Sequence, residues 1–191
     1  MDISPLAGLT GLELLFLGDN PVGDLSPLVR LANLVVLLLH DNQIEDISPL
    51  AELTDLEVLD LGNWPDLHNN RVSDVSPLAG LANLRGLYLD YNQVSDISPL
   101  AGLANLEQLS LSDNQISDVS PLGTAQMNHL QLLYLNGNQI VDIYPLAQNT
   151  DWDFLQELHL EWNDLSPTSC DVYVPELQSR GIWVISDCNR E

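Results

Sequence analysis

The feature that most constrains this chain is an internal repeat of the form L-x-x-L-x-L-x-x-N. Successive repeat asparagines are separated by 22, 28, 22, 22, 24 and 25 residues. Their positions are Asn20, Asn42, Asn70, Asn92, Asn114, Asn138 and Asn163. A fixed period of roughly 20–50 residues is typical of solenoids, in which each coil buries its apolar face only against neighbouring coils. The sequence therefore predicts seven stacked strand units.

The first half of each unit predicts a short strand. In residues 84–89, Leu87 and Leu89 alternate with other residues, which is the period of a strand with one buried face. Parallel stacking of such strands about 4.8 Å apart makes a continuous core. The asparagine follows at the turn, where we expect its buried amide to bond the backbone of adjacent coils as a ladder.

The second half follows the pattern D-[ILV]-S-P-L-A-x-L, as in residues 46–53. Serine followed by proline predicts an N-cap and the first position of a helix. The space before the next strand admits only a 3₁₀ turn or one short α-turn. The aspartates are expected to accept backbone N–H bonds before each helix, with a calcium-binding column as the alternative. They are Asp24, Asp46, Asp74, Asp96, Asp118 and Asp142.

Three insertions interrupt the period. Six residues around 63–68 are inserted between a strand and its asparagine. Later repeats gain residues at 123–129 and 148–154, and we expect these to lengthen the helices on the convex side. Trp152 and Phe154 are predicted to pack such a helix against the core.

The two ends of the chain differ. Residues 2–6 match the second half of a repeat, so the first repeat is expected to be truncated and the first coils uncapped. After Asn163, residues 175–181 predict a helix that begins with proline and ends with glycine, and 182–185 predict a last strand. We therefore divide the chain into a solenoid at 1–165 and a C-terminal cap at 166–191.

Both cysteines, Cys170 and Cys188, fall in the predicted cap. An even number of cysteines confined to one terminal unit predicts a disulfide that ties the last strand to the preceding loop. The alternative is a pair of buried free thiols in a cytosolic protein.

The charge of the chain restricts its partners. There are 28 acidic residues against 5 basic ones, which gives a formal net charge of −23. Such a charge repels phosphate backbones and anionic lipid surfaces, so we expect no nucleic-acid partner, whereas cationic partners are favoured. No apolar stretch of 18 residues occurs, so membrane insertion is not expected.

The repeat resembles a known group. Residues 95–106, followed by Leu109, Leu111 and Asn114, are similar to bacterial internalin-type leucine-rich repeats of the 22-residue class. Residues 165–182 resemble the C-terminal cap of many bacterial repeat proteins. The resemblance implies an α/β solenoid: a right-handed arc with a parallel concave β-sheet and short 3₁₀ or α turns on its convex side.

The strand pattern predicts that the third, fifth, seventh and eighth positions of each unit line the concave face. Two surfaces follow from it. An apolar patch is expected on the first three coils, at Leu14, Phe16, Val36, Leu38 and Val58. An aromatic and acidic surface is expected further along, at Tyr88, Asp90, Tyr91, Asp113, Tyr134, Glu157, His159, Glu161 and Trp162.

Exposed apolar area and clustered aromatics indicate a protein interface, and acids select a basic partner. We therefore expect a protein-binding module, located outside the cytoplasm. Because no catalytic motif is present, we expect it to be non-catalytic and without a cofactor. The alternatives are a glycan-binding surface domain and a cytoplasmic scaffold of the phosphatase-regulator kind. Glu157, His159 and Glu161 could also hold a metal ion, but alternate residues of one strand lie about 7 Å apart. The apolar first coils could instead pair with a second copy of the chain.

Overall fold

A computed structural model describes residues 1–64 and 70–188 of the chain. These residues form one sheet of eight parallel strands, in which each strand pairs with the next in chain order. The strands are β1 Leu14–Phe16, β2 Val36–Leu38, β3 Val58–Asp60, β4 Gly86–Tyr88, β5 Gln108–Ser110, β6 Leu132–Tyr134, β7 Glu157–His159 and β8 Trp183–Ile185. The predicted leucine-rich-repeat arc of seven strand units is confirmed, and an eighth strand follows them in the same sheet.

The register is constant along the whole sheet. Leu37 in the middle of β2 pairs with Leu15 on one side and Leu59 on the other. The same inward position carries a buried residue in the other five strands, namely Leu87, Leu109, Leu133, Leu158 and Val184. Since the middle residue points inward, the residues before and after it lie on the concave face, as the sequence predicted.

The predicted asparagine ladder is present. Asn114 Nδ2 donates to three backbone carbonyls, those of Leu89 (2.9 Å) in the preceding coil and of Leu111 (3.1 Å) and Ser112 (3.0 Å) in its own coil. Its Oδ1 accepts the N–H of Val94 at 2.9 Å. The corresponding bonds to the preceding coil are made by Asn42, Asn70, Asn92, Asn138 and Asn163. One buried amide per coil therefore satisfies backbone groups that would otherwise be buried without partners.

Short helices cross the convex side, as predicted. Five are 3₁₀ helices and two are single α-turns. They are Ser4–Gly8, Ser26–Leu28, Ser48–Leu50, Ser76–Leu78 and Ser98–Gly102, then α1 Ser120–Gly123 and α2 Tyr144–Gln148.

The predicted serine N-cap is wrong. The helix begins at the serine itself, proline takes the next position, and the residue before the serine makes no side-chain cap bond. The carboxylate two residues earlier accepts the serine N–H instead, at 2.8 Å from Asp46 Oδ1 to Ser48 N. The same bond recurs at Asp2, Asp24, Asp74, Asp96 and Asp118, and Asp142 accepts the N–H of Tyr144 in the same way. The expectation for the aspartate column is therefore confirmed.

These aspartate bonds make stability depend on pH. The backbone and side-chain hydrogen bonds of Ser98 hold the pKa of Asp96 below its usual value, and Asp24, Asp46 and Asp74 are lowered in the same way. A lowered folded-state pKa adds stability that is present above the unfolded pKa of about 3.9 and is lost as pH falls through the folded value. We expect Asp96→Asn to lower Tm at neutral pH and to have a smaller effect at about pH 2, below the unfolded pKa, where protonation of the wild-type carboxyl removes part of the difference.

Thermal unfolding followed by circular dichroism at the two pH values measures this difference. Asp55→Asn, at an exposed position outside the aspartate column, reports the effect of removing one negative charge alone. An equal loss of Tm from Asp96→Asn at both pH values would contradict the linkage.

The insertions do not lengthen the convex helices. Helix α1 ends at Gly123 and α2 at Gln148, so the added residues extend the connections to the next strands. Trp152 is buried as predicted, but Phe154 is 58% exposed, and its ring stacks on His129 with centroids 6.3 Å apart. Leu155, the first leucine of its repeat unit, is buried, as in every unit after the first. The insertion expected at 63–68 falls mostly at 65–69, outside the described residues.

The predicted C-terminal helix and strand are present. A π-helical turn at Ser169–Tyr173 leads into α3 Val174–Ser179, and β8 then pairs with β7. Cys170 and Cys188 are joined by a disulfide, with Cα atoms 5.2 Å apart, within the usual range for such a bond. The division at residue 165 stays a prediction. None of the helices in the described ranges has the length and hydropathy needed to span a bilayer.

Candidate functional site

The concave face begins with the predicted apolar patch. Leu14 is 54% exposed and Phe16 63% exposed, although both belong to the sheet. Val36 and Leu38 pair with them in register, and Val58 continues the patch onto β3. The fully buried leucines lie on the other face, so these outward side chains are not needed to complete the core. Asp60, next to Leu38 in the fifth position, ends the apolar stripe.

The predicted aromatic and acidic surface is divided into two groups. Ser110 of β5, a small buried residue, stands in register between Tyr88 of β4 and Tyr134 of β6. One group surrounds Tyr88 and extends back towards β3, and the other surrounds His159 on β7. Their chemistry differs enough to be described separately.

The first group, which we call the Tyr88 pocket, is a cavity of about 400 Å³. Its walls combine aromatic rings with carboxylates. It is lined by His40, Asp60, Gly62, Asn63, Trp64, Tyr88, Asp90 and Tyr91. Tyr88, Asp90 and Tyr91 were predicted as site residues, whereas the other five were not.

Asp60 is a partly buried carboxylate in the lining of the Tyr88 pocket. Burial raises its pKa, and hydrogen bonds from the Gly62 N–H (3.0 Å) and from His40 Nδ1 (3.2 Å to Oδ2) offset part of that effect. The other ring nitrogen of His40 lies 3.6 Å from Asp19 Oδ2. His40 therefore bridges two carboxylates along the concave face.

Burial also raises the pKa of the Tyr88 hydroxyl, and the negative charge of Asp60 adds to the effect. The hydroxyl consequently stays protonated at neutral pH and donates to Gln108 Oε1 at 2.6 Å. The ring of Tyr88 is thus fixed beside the pocket by a neighbouring strand.

The second group, which we call the His159 cluster, consists of Tyr134, Glu157, His159 and Glu161. The rings of Tyr134 and His159 lie 4.5 Å apart between centroids. His159 Nε2 lies 3.5 Å from Glu157 Oε2, and Nδ1 lies 3.5 Å from Glu161 Oε2. Within residues 1–64 and 70–188, no three His, Cys, Asp or Glu side chains are arranged to hold a metal ion.

The remaining predicted site residues occupy the eighth position of their units, where the chain turns. Tyr91, Asp113 and Trp162 all have positive φ, at 55°, 54° and 55°. Asp113 borders a shallow depression beside Tyr91. Trp162 is 63% exposed and lies in the same coil as His159. Bulky residues rarely adopt this conformation, so Tyr91 and Trp162 occupy it at some conformational cost.

The residues that sequence reasoning missed had a readable signal. The seventh position of each unit, which the sequence already places on the concave face, carries His40, Gly62 and Asp90 on successive coils, so His40 and Gly62 could have been found from the same column as Asp90. Trp64 had no such signal, because it lies at the start of the insertion that breaks the period.

These features define a class: a parallel-strand solenoid whose open sheet face carries side chains that the core does not use. The sequence matches the family described as "Leucine Rich repeats (2 copies)" at residues 32–64, 66–102, 82–124 and 104–148. The chain belongs to the leucine-rich-repeat family and is internalin-like within it. A search of curated proteins gave no significant match.

Solved structures support this assignment. The chain is similar to an internalin (inlF) of Listeria monocytogenes, at 33% identity over 97% of this chain and 57% of that one, with a TM-score of 0.73. It is also similar to internalin C2 of the same organism, at 36% identity over 93% and 82%, with a TM-score of 0.67. The chain thus spans little more than half of the first of these structures.

A third similar structure comes from Arabidopsis thaliana. It is the leucine-rich-repeat ectodomain of the receptor kinase GASSHO1/SCHENGEN3 in complex with Casparian strip integrity factor 2. The identity is 29% over 85% of this chain and 20% of that one, with a TM-score of 0.69.

Proposed function

We propose that the chain is a non-catalytic module that binds a protein partner on its concave face. The observation that carries the proposal is the exposure of Leu14 and Phe16 on the sheet above a complete core. Exposed apolar surface in one contiguous patch is typical of an interface. The rings of the Tyr88 pocket and the His159 cluster extend that surface along the arc, and aromatic residues contribute strongly to interface energies.

The partner is expected to carry positive charge. The net charge of −23 and the carboxylates of the concave face favour approach of a basic surface and oppose binding to nucleic acid. Among relatives, the Arabidopsis ectodomain in complex with an integrity factor offers a precedent for a bound ligand.

The disulfide supports an extracytoplasmic location. Disulfides persist in oxidising compartments and are rare in the cytosol. The bond between Cys170 and Cys188 therefore favours a secreted or surface module over a cytoplasmic scaffold.

A pull-down with the intact chain tests the binding proposal. We expect a protein retained by the wild type to be lost by Phe16→Asp/Leu38→Asp or by Tyr88→Ala/Tyr134→Ala, since each pair removes concave surface without opening the buried core. Phe154→Asp, which alters an exposed ring away from the sheet, is the matched control and should retain the partner. Retention by both concave variants would contradict the proposal.

Glycan binding is the second candidate, because the Tyr88 pocket places rings beside carboxylates. It predicts saturable binding in a saccharide screen and loss of that binding in Tyr88→Ala. The remaining candidate is self-association through β1, which pairs on one side only, with β2. Light scattering at increasing concentration distinguishes a dimer from a free apolar patch.

A further inference from the structure

The Tyr88 pocket is lined by two carboxylates that flank Gly62, those of Asp60 and Asp90. A methyl group placed on Gly62 would lie 3.3 Å from Asp60 Oδ1, 3.5 Å from the backbone nitrogen of Asp90 and 3.7 Å from Asp90 Oδ2. Glycine therefore lets both acids lie close to residue 62, where even a methyl group would crowd Asp60.

Hydrogen bonds within the protein orient both carboxylates, and for Asp60 they come from Gly62 and His40. Asp90 Oδ1 accepts hydrogen bonds from the Ser110 hydroxyl and from the Ser112 N–H, the latter at 3.0 Å. In the part of the chain that the structure describes, no hydrogen bond reaches Asp90 Oδ2. The orientation of Asp90 is therefore fixed by one oxygen, while the other remains available towards Gly62.

The aromatic residues that line the pocket favour a cation, as its carboxylates do. Trp64, which is 65% exposed, Tyr88 and Tyr91 line the cavity. Aromatic faces attract cations within about 6 Å of the ring centre. The arginines closest in sequence do not supply that charge, because Arg71 is paired with Glu45 and Arg85 with Glu107.

We propose that the Tyr88 pocket binds a guanidinium group, presented as an arginine side chain by the protein partner. The inference rests on the proposed function and specifies what the partner must offer at this point. A guanidinium is planar, stacks on aromatic rings and donates to carboxylates on more than one edge. The volume of about 400 Å³ lies at the small end of ligand sites, which span roughly 300–1,000 Å³. A lysine ammonium is compact and strongly hydrated, so it uses the rings less well.

The raised pKa of Asp60 agrees with this assignment. Burial makes its negative charge costly, and the neighbouring charge of Asp90 adds to that cost. A bound cation offsets both effects, whereas a neutral ligand offsets neither.

The test titrates the whole chain with N-acetyl-L-arginine amide at low salt. The readout is the NMR signal of the Trp64 indole N–H, assigned by comparison with Trp64→Phe. N-acetyl-L-citrulline amide is the matched ligand control, since it has nearly the shape of arginine and no charge. We expect a saturable shift with the arginine compound, binding of citrulline weaker by about tenfold or more, and lysine amide between the two.

Variants locate the binding. Asp60→Asn and Asp90→Asn remove the charges while keeping the shapes, and each should weaken binding at least about fivefold. Gly62→Ala places a methyl group 3.3 Å from Asp60 Oδ1 and should weaken binding similarly, because Asp60 must shift to accommodate it. Glu52→Gln/Asp55→Asn removes two exposed charges away from the sheet and should leave binding unchanged. Circular dichroism confirms that each variant is folded.

Equal binding of arginine and citrulline would overturn the inference, and so would equal weakening by the control variant, which would indicate a diffuse charge effect. Absence of any saturable shift would overturn it as well. If a protein partner is retained through Phe16 and Leu38 while arginine does not bind, the inference fails and the proposed function stands. If arginine binds but no partner depends on the concave face, the proposed function fails instead.

Discussion

Replacing Asn114 by alanine is expected to lower the free energy of unfolding by about 3–5 kcal/mol, the largest effect among our predictions. The substitution leaves the buried N–H of Val94 without a partner. The carbonyls of Leu89, Leu111 and Ser112 each lose one donor but keep another, from Asn92, Asn138 and the Tyr91 N–H respectively. A buried donor left unsatisfied costs about 1–3 kcal/mol and each further lost hydrogen bond about 0.5–1.5 kcal/mol, although neighbouring costs do not add fully. Urea denaturation followed by circular dichroism measures the change.

Asn105→Ala is the matched control for this experiment. Asn105 is exposed and makes one bond, from Nδ2 to the Ala82 carbonyl at 2.8 Å on the return side of the coil. Its loss should cost no more than about 1 kcal/mol, since water replaces the missing donor. Similar losses from the two variants would show that the ladder contributes no more than an exposed hydrogen bond.

Removing the disulfide is expected to lower the free energy of unfolding by about 3 kcal/mol, the second largest effect. The bond joins residues 18 apart in sequence, and in the chain-entropy account a loop of that size restricts the unfolded state by about this amount. The double variant Cys170→Ser/Cys188→Ser, measured by urea denaturation, gives the value directly.

Treatment with a reductant supplies the control for this prediction. Dithiothreitol should destabilise the wild type by a similar amount and should leave the double variant unchanged. If it changes neither protein, the two cysteines are free thiols, and the cytoplasmic alternative gains support over an extracytoplasmic one.

Much of the fold could be predicted because every coil buries its strand and closes its turn with the same pattern of residues. The alternation around Leu87 and Leu109 determines which face is buried, and Asn92 and Asn114 mark where the chain turns. Errors arose where two residues could perform one task. The serine was assigned the cap that the aspartate provides, and Phe154 was assigned to the core together with Trp152, although only Trp152 is buried.

The site was less predictable than the fold, because it depends on side chains from different coils meeting in space. Tyr88 and Asp90 could be predicted from their positions in the repeat unit. The burial of Asp60 and its contact with His40 instead result from the packing of neighbouring strands. Trp64 joins the pocket from a segment without the repeat. Periodicity cannot specify what an irregular segment contacts.

Because the register of the sheet is constant, the distance between two side chains at the same strand position is set by the number of strands that separate them. Tyr88 on β4 and His159 on β7 are three strand steps apart, which is about 14 Å at about 4.8 Å per step. A partner that engages both must present its contact points at that spacing. Gain or loss of one whole coil between them would change the spacing by about 4.8 Å and leave each group of side chains intact. Selectivity among partners could therefore change through the number of coils alone, without substitution of any contact residue.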